Sequence, residues 1–555
     1  MALVRPPLSA PGVYVQEVPS GVRTITGVST SLTVFIGRTA RGPVGEAIRV
    51  SSFDEFTQQF GGLFASSPMT YAVQDFFLNG GAQALILRLF KGDTAASTAT
   101  IPFVAETGRK STPADLTGAV PKDAKGQAVA NYVLKGQGLV ASSPGAWATG
   151  ALSYSTDTDG LTSPETGTDG KPTGKTVPRA SLVAQYATRS WSALDLFNLT
   201  VSYTQPNGQK STERFTAVSL NDNAGDRRLD RVLQQSSLYA RLSAQTTGTG
   251  KDSDLLAATD YTAGLDLLDT LDLYNIVCIP PETFDGNTDI SVYASAAEKC
   301  SRMKATLILD PPNTWTPDVD NTVHLDDPKG LGVTPADAHA PYCTVYFPRI
   351  KAADPLQGGA EVTRAASGAL AGIIARTDAT RGVWKAPAGY NDGGISGITG
   401  LQYPLTDTQN GLLNSQGVNA LRSFSPVGPV VWGARTLAGA DVLSSDFKYL
   451  PVRRLTDYIE QTLLRQTRWA VFEPNDEPLW SQLRLAIGSF MNDLFRQGAF
   501  QGSSRDQAFF VKCDATTTTQ DDINRGIVNV EVGFAPLKPA EFVVIYIEQK
   551  TAQAA

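Results

Sequence analysis

The side chains of this chain best suited to catalysis or metal binding are two histidines and four cysteines. His324 and His339 lie in a stretch rich in Pro, Asp and Gly, and neither belongs to H-E-x-x-H or another metal-ligand spacing. The cysteines, which form no C-x-x-C pair, are Cys278, Cys300, Cys343 and Cys513. This pattern argues against a zinc site and against a disulfide framework. We therefore predict surface-loop histidines, free and mostly buried thiols, and no metal ion or cofactor.

Motifs for phosphate binding and for nucleophilic hydrolysis do not occur in the sequence. It contains neither G-x-x-x-x-G-K-[ST] nor the nucleophile elbow G-x-S-x-G. The glycine-rich run 393–400 matches no dinucleotide fingerprint, so we predict a mobile loop there. Acidic residues that a hydrolase could use are Asp310, Asp514, Asp521 and Asp522. Turn and cap formation is the simpler role for the last three. We predict that the chain is not an enzyme, and keep an α/β hydrolase as an alternative.

Length, composition and charge narrow the class of protein. At 555 residues and 59.0 kDa the chain is long enough for about three to four domains. Its 42% hydrophobic and 18% charged residues are typical of globular proteins. A net charge of −7 and a pI near 5.2 argue against direct nucleic-acid binding, which needs clustered Lys and Arg.

The apolar runs are too short for a membrane protein. The longest clean run, residues 542–547, has six residues, whereas a spanning helix needs about 18 or more. The N-terminal M-A-L-V-R-P-P has no apolar h-region of a secretory signal. We expect no membrane insertion and a protein that stays in the cytoplasm where it is made.

Hydrophobic periodicity indicates an α/β core. Buried strands are predicted at residues 32–37, 84–90, 275–280, 305–310 and 344–347. Helices are predicted at residues 53–60, 68–79, 290–303 and 361–377. Strands that alternate with helices predict a layered sheet.

Between residues 91 and 254 the composition shifts toward Thr, Ser, Gly and Asp. The turn signal Q-P-N-G at 205–208 separates two strand-like runs, 196–203 and 213–218, as in a β-hairpin. Aromatic residues that could form a core are Trp147, Trp191, Phe197, Tyr203 and Phe215. We predict an inserted, largely β domain, with a disordered linker as the alternative.

The C-terminal region combines two long helices with two strands. The helices are predicted at 452–468 and 478–497, with Asn475 or Asp476 as the cap of the second and Pro478 in its first turn. A strand at 527–534 alternates apolar and polar residues, whereas the run 542–547 is apolar on both faces. That last strand needs cover from another sheet.

Several segments of this sequence resemble one known family. They include P-G-V-Y-V-Q-E-V-P-S-G-V-R at 11–23, V-S-T-S-L-T-V-F-I-G-R-T-A-R-G-P-V at 28–44, S-S-F-D-E-F at 51–56, F-F-L-N-G-G at 76–81 and S-P-G-A-W at 143–147. Further segments are G-V-N-A-L-R at 417–422, V-V-W-G-A-R-T at 430–436, T-R-W-A-V-F-E-P-N-D-E-P-L-W at 467–480 and A-F-F-V-K-C-D-A-T-T-T-T-Q-D-D at 508–522. The sequence is similar to the tail sheath proteins of contractile phage tails and related injection systems.

The resemblance implies a structural subunit that polymerises helically around an inner tube and contracts to drive that tube through a cell envelope. In this family the terminal arms add strands to sheets of adjacent subunits. The residues at the matching positions are Val13, Tyr14, Val15, Val18, Phe542, Val543, Val544, Ile545, Tyr546 and Ile547. The doubly apolar final strand supports this expectation, because such a strand is an aggregation hazard unless a neighbour covers it.

The resemblance also implies an organisation and a set of partners. We expect an N-terminal arm at 1–22, a first core segment at 23–92 and an outer, mostly β domain at 93–254. A core α/β domain that includes the C-terminal helices follows at 255–534, and a C-terminal arm at 535–555. Expected partners are other copies of the chain, the inner tube protein, and baseplate and terminator or cap proteins, in a virion tail or injection-system particle. An outer-surface adhesion module is a further alternative.

Charged residues on the first C-terminal helix could form complementary patches between subunits. They are Arg453, Arg454, Asp457, Glu460, Arg465 and Arg468. The alternative is a solvated helix face with local Glu-to-Arg pairs.

Overall fold

The computed structural model describes residues 23–95, 97–102, 138–166, 172–178, 196–205, 208–220, 223–243, 248, 250–317, 323–324, 331–542 and 544. These residues fall into two compact units. The larger unit is Ser29–Arg454, and the smaller one contains the described residues before Ser29 and after Arg454.

The strands of the larger unit are β1 Thr33–Gly37, β2 Ala47–Val50, β3 Ala84–Arg88, β4 Gly138–Ala141, β5 Leu152–Asp157, β6 Thr162–Thr166, β7 Pro172–Pro178, β8 Leu196–Thr204, β9 Lys210–Ser219, β10 Ala240–Ser243, β11 Ile276–Cys278, β12 Thr306–Leu309, β13 Thr316–Pro317, β14 Val323–His324, β15 Cys343–Phe347, β16 Ile350–Asp354, β17 Ala360–Arg364, β18 Gly400–Leu401, β19 Asn419–Phe424 and β20 Gly428–Trp432. Its helices are α1 Phe53–Phe60, α2 Pro68–Leu78, α3 Leu229–Ser236, α4 Ala258–Leu265, α5 Ile290–Met303, α6 Ser367–Arg381 and α7 Asp407–Ser415. Helix α8, Leu450–Gln466, begins in this unit.

An eight-stranded sheet forms the centre of the larger unit, in the order β2-β3-β1-β11-β12-β15-β19-β20. The six inner strands are parallel, and β2 and β20 are antiparallel edge strands. Successive residues of a strand point to opposite faces, so Val34 packs with α4 and α5 while Phe35 packs with α1, α2 and α6. The layered α/β core predicted from the sequence is confirmed.

Helices α2 and α6 pack closely because α6 has two glycines on the contact face. A Cβ atom added to Gly368 would lie 2.1 Å from the carbonyl oxygen of Ala72, and one added to Gly372 would lie 2.4 Å from that of Phe76. A buried ion pair supports the same contact, since Arg364 donates to both oxygens of Asp75 at 2.6 and 2.9 Å.

The described portion of the insertion is largely β. Strands β8 and β9 form the predicted hairpin, and β5 pairs with the other edge of β8. Their core includes Phe197 and Tyr203, with Trp147 against Tyr203 at a ring-centroid distance of 5.6 Å, whereas Trp191 lies outside the described residues. Arg41 from the core stands over the rings of Trp147, Tyr203 and Tyr239 at 5.3, 4.9 and 5.2 Å. The described portion of the insertion is therefore folded rather than a linker.

The smaller unit is built around α9, Glu477–Arg496. Its other elements are α10 Arg505–Ala508, β21 Phe509–Lys512, α11 Gln520–Asn524 and β22 Glu531–Phe534. Asp476 caps α9 through the N–H of Leu479, and Pro478 lies in the first turn, as predicted. Leu479, Trp480, Leu483 and Cys513 form one buried cluster of this unit.

Three local predictions were wrong. The predicted helix at 361–377 begins only at Ser367, because residues 360–364 pair with β16 as strand β17. The run 393–400 is not a free loop, since Gly389 and Gly393 exchange backbone hydrogen bonds with Val431 at 2.9 and 2.8 Å. His324 lies in strand β14 rather than in a loop.

The four cysteines are all buried thiols that form no disulfide, as the sequence indicated. Among the described residues, the structure contains no helix that combines the length and apolarity needed to cross a bilayer.

The helical glycines provide a matched test of α2–α6 packing. Gly368→Ala should lower the free energy of unfolding by about 1–3 kcal/mol, because the new methyl group meets the backbone of α2. Gly411→Ala in α7, where the added Cβ meets nothing within 4 Å, should raise it by about 0.5–1 kcal/mol. Chemical denaturation of both variants measures the difference, and equal effects would contradict the packing argument.

Candidate subunit-contact surface

The residues that a hydrolase could use serve the fold. Asp310 follows β12, and its carboxylate accepts hydrogen bonds from the N–H and the hydroxyl of Ser367 at 3.0 and 2.7 Å. Burial raises the pKa of this carboxyl group to about 6. The Cys343 thiol donates to the carbonyl of His339 at 3.5 Å, and burial raises its pKa well above the ordinary value. A thiol held in this way is not an activated nucleophile.

His339 contacts one hydroxyl group but lacks a catalytic setting. Its Nδ1 lies 3.0 Å from the Ser301 hydroxyl, and the nearby Asp337 carboxylate accepts from the backbone N–H of His339 rather than from its ring. Across the portion of the chain that the structure describes, no three His, Cys, Asp or Glu residues are grouped for a metal ion. The hydrolase alternative gains no support from this geometry.

The crevice where open parallel sheets usually bind ligands is occupied by side chains. It lies beyond the carboxyl ends of β1 and β11, where the strand order reverses. Arg38 forms an ion pair with Glu282 there, and Glu282 accepts from the Tyr261 hydroxyl at 2.6 Å. Arg38 also donates to the carbonyl of Ser66 at 2.6 Å. Residues of the fold itself therefore contact one another at this position.

The predicted charge patch separates into buried and accessible residues. Arg454 donates to both Asp378 oxygens at 2.7 Å and to the Thr30 carbonyl at 2.7 Å, and Arg453 stands over the Phe447 ring at 4.1 Å. Asp457 is also buried. By contrast, Glu460 and Arg468 are exposed and Arg465 is half-buried. Arg453 and Arg454 therefore hold this chain together and do not form a surface patch on it.

The two-stranded sheet β21–β22 is the least complete element of the smaller unit. Its strands are antiparallel, with Phe509 opposite Phe534 and Lys512 opposite Glu531. Within the described residues, no further strand pairs with either outer edge, although an isolated bridge joins Phe500 to Pro536 just beyond β22. Phe510 is 53% exposed, and the apolar residues of the 527–534 run are only half-buried. A sheet this small normally needs a third strand or broader cover.

The strand predicted at 527–534 is only half formed, since pairing is limited to residues 531–534. At Asn529, side chains occupy the hydrogen-bonding positions. The Asn529 N–H donates to the Thr518 hydroxyl at 3.0 Å, and the Thr517 hydroxyl donates to the Asn529 carbonyl at 3.1 Å. Residues 527–530 have the sequence pattern of a strand. However, β22 begins only at Glu531, because Glu531 lies opposite Lys512, the last residue of β21.

The predicted arm residues lie mostly outside the described residues. This applies to Val13, Tyr14, Val15, Val18, Val543, Ile545, Tyr546 and Ile547. Phe542 and Val544 are described and are 76% and 69% exposed. Both are large apolar side chains that are mostly exposed in the single chain.

The structure adds one surface residue that the sequence analysis missed. Phe472 has its side chain fully exposed and its backbone in the left-handed region at φ 70°. The adjacent Val471 is 61% exposed. The family-like motif around Phe472 was the available signal, but nothing in the motif distinguishes an exposed aromatic residue from a buried one.

Two family models match the chain. The model described as the phage tail sheath protein central domain matches residues 256–437, and the phage tail sheath C-terminal domain matches residues 443–550. The second match contains both strands of the incomplete sheet.

Curated relatives match over shorter regions. The tail sheath protein of Vibrio phage KVP40 is 27% identical over 179 residues, which is 32% of this chain and 25% of that protein. That of Enterobacteria phage T4 is 28% identical over 156 residues, 28% of this chain and 22% of its own length. A putative prophage major tail sheath protein of Pseudomonas aeruginosa is 29% identical over 184 residues, which is 32% of this chain and 43% of that protein. The matches thus span less than half of each relative.

Solved structures share the fold over almost the whole chain. The contracted helical sheath of the anti-feeding prophage aligns with a TM-score of 0.54 at 20% identity and covers 98% of this chain and 100% of its own. The contracted PVC sheath complex of an extracellular contractile injection system aligns with a TM-score of 0.53 at 20% identity and covers 99% of this chain and 99% of its own. A sheath tail protein of Listeria innocua aligns with a TM-score of 0.53 at 13% identity and covers 93% of this chain and 96% of its own.

The charged residues of the predicted patch allow a direct comparison between buried and exposed arginines. Arg454→Ala should destabilise the chain by about 3–5 kcal/mol, because it leaves the Asp378 carboxylate buried and unpaired. Arg468→Ala should change stability by less than about 0.5 kcal/mol, since this side chain is exposed. Denaturant titration measures both, and a small effect of Arg454→Ala would refute its structural role.

Asp310 should make stability depend on pH. Between pH of about 4 and 6 the folded chain keeps the carboxyl proton that the unfolded chain has lost, so the free energy of unfolding falls as pH rises through this window. Asp310→Asn removes the titration, so its stability relative to wild type should increase by up to about 3 kcal/mol from pH 4 to pH 7. Denaturation at several pH values measures this difference, and a constant difference would contradict the raised pKa.

Proposed function

Because this chain belongs to the phage tail sheath family, whose central and C-terminal domain models match more than half of its 555 residues, we propose that it is the structural subunit of a contractile sheath. The subunit polymerises helically around an inner tube, and contraction of the polymer drives the tube through a target cell envelope. It performs no catalysis and needs no cofactor.

The observation that carries this proposal is the incomplete sheet β21–β22. Both of its outer edges lack a further strand in the described chain, and its apolar side chains are only partly covered. Arms of neighbouring copies complete the sheet by adding strands. The donor residues are those at 13–18 and 542–547, of which Phe542 and Val544 are exposed in the single chain.

The free energy of association favours a lattice in which each subunit makes several arm contacts over a pair of subunits joined by one arm. An arm with about five backbone hydrogen bonds at roughly 1 kcal/mol each, plus side-chain burial, contributes about 5–10 kcal/mol. Association costs a similar amount, so one arm contact is marginal. Several arms per subunit hold the lattice through their high effective concentration.

Arms that connect subunits explain how contraction could proceed without disassembly. The arms act as hinges while the subunit bodies rotate and repack their faces. The anti-feeding prophage and PVC sheaths have been solved in a contracted state. In this proposal the present chain likewise moves from an extended, metastable polymer to a contracted one, driven by better subunit contacts rather than by nucleotide hydrolysis.

The remaining elements of the proposal concern organisation and partners. The terminal arms occupy 1–22 and 535–555, and the outer β domain at 93–254 interrupts the core. Partners are the inner tube protein, the baseplate and a terminator or cap protein, in a phage tail or injection-system particle assembled in the bacterial cytoplasm. The accessible charges Glu460, Arg465 and Arg468 contribute to contacts between subunits.

Removal of residues 541–555 tests the proposal. The intact chain should form long hollow tubes, whereas the truncated chain should remain a folded monomer because its neighbours no longer receive the final strand. Negative-stain electron microscopy distinguishes the two, and circular dichroism confirms that the truncated chain is folded. A compact monomer or dimer from the intact chain at high concentration would overturn the proposal.

A further inference from the structure

The loop between α8 and α9 presents an apolar side chain in an unfavourable backbone conformation. Phe472 is fully exposed, Val471 is 61% exposed, and the nearby Leu464 at the end of α8 is 60% exposed. The φ of 70° at Phe472 costs free energy for a bulky L-residue. A chain that only had to fold would do better with Gly at this position and a polar side chain nearby.

This loop contacts described residues that adjoin both features that the proposed function uses to join copies. The guanidinium group of Arg23, the first described residue, stands 4.6 Å over the ring of Trp469. On the other side, Asn475 donates to the carbonyl of Ile527 at 2.9 Å. Ile527 begins the half-formed strand that leads into β22. In the proposed polymer, a copy that adds a strand beside β22 therefore lies close to the loop that carries Phe472.

We propose that Phe472, with Val471, is an anchor that inserts into an apolar pocket on a second copy of this chain. The inference rests on the proposed function, because it assumes that copies are joined through their arms. Glu473, Asp476 and Glu477 are exposed and lie close to the anchor in sequence, with Glu477 paired to Arg484. The receiving pocket therefore has an apolar floor and a basic rim. Aromatic anchors of this kind dominate the free energy of many interfaces.

The variant Phe472→Cys tests the contact by thiol labelling. The four native cysteines are buried, which makes the introduced thiol selectively reactive. In dilute monomer F472C should react rapidly with a maleimide. In tubes assembled from the chain alone it should react at least about tenfold more slowly, because the core of an interface excludes solvent. V442C is the matched control, since Val442 is 89% exposed in the larger unit.

The variant Phe472→Gly separates an interface role from a structural one. Glycine tolerates the left-handed backbone, so F472G should raise the midpoint of thermal unfolding. It should also raise the critical concentration for tube formation by about tenfold, because the anchor is lost. A variant that is more stable but assembles less well cannot be explained by misfolding. An unchanged critical concentration would overturn the proposal.

The remaining outcomes of the labelling experiment also decide the proposal. If F472C is protected from the maleimide already in the monomer, another part of the same chain covers position 472, and the proposal is overturned. Full reactivity in chain-only tubes, with or without protection when the inner tube protein is added, would overturn it as well. Absence of tubes from the wild-type chain would refute the proposed function and the anchor together, whereas tubes with reactive F472C would refute the anchor alone.

Discussion

Every β-strand must find a hydrogen-bonding partner for each of its two edges, or leave that edge to solvent or to another chain. In the larger unit the chain meets this requirement largely by itself. Six parallel strands lie between antiparallel edge strands, and the outer edge of β20 is bonded to residues 389–395. Gly393 makes this cover possible, because a Cβ atom there would lie 2.8 Å from the Val431 carbonyl oxygen.

Within the described residues, the smaller unit adds no third strand to its sheet. The sheet β21–β22 has two strands, half-covered apolar side chains and a neighbouring run that ends its pairing early. The contrast between a self-sufficient core and an unfinished sheet is the physical basis of the proposed polymer. In the proposed polymer, the first would supply the subunit bodies and the second the connections between them.

Buried ion pairs join distant parts of the larger unit. Asp75 with Arg364 and Arg454 with Asp378 join elements that are far apart in sequence, and each pair is almost fully buried. Breaking such a pair leaves an uncompensated charge in a low-dielectric interior, which is costly. By charge alone these residues look like candidates for chemistry, but their geometry fastens helices and strands together.

The sequence alone determined the elements whose pattern is local. Apolar periodicity and end signals predict strands at 32–37 and 84–90, a helix at 290–303 and a cap at Asn475 or Asp476. The structure contains the strands at 33–37 and 84–88 and the helix at 290–303, and it assigns the cap to Asp476. The motifs likewise identified the family, because they depend on residue identity and not on contacts. Pairing decided the rest: Ala360–Arg364 is a strand because β16 lies beside it, and residues 527–530 are unpaired because β21 has ended. The burial of Arg453 and Arg454 and the exposure of Phe472 were also decided by tertiary structure, since an identical side chain is buried or exposed according to what packs over it.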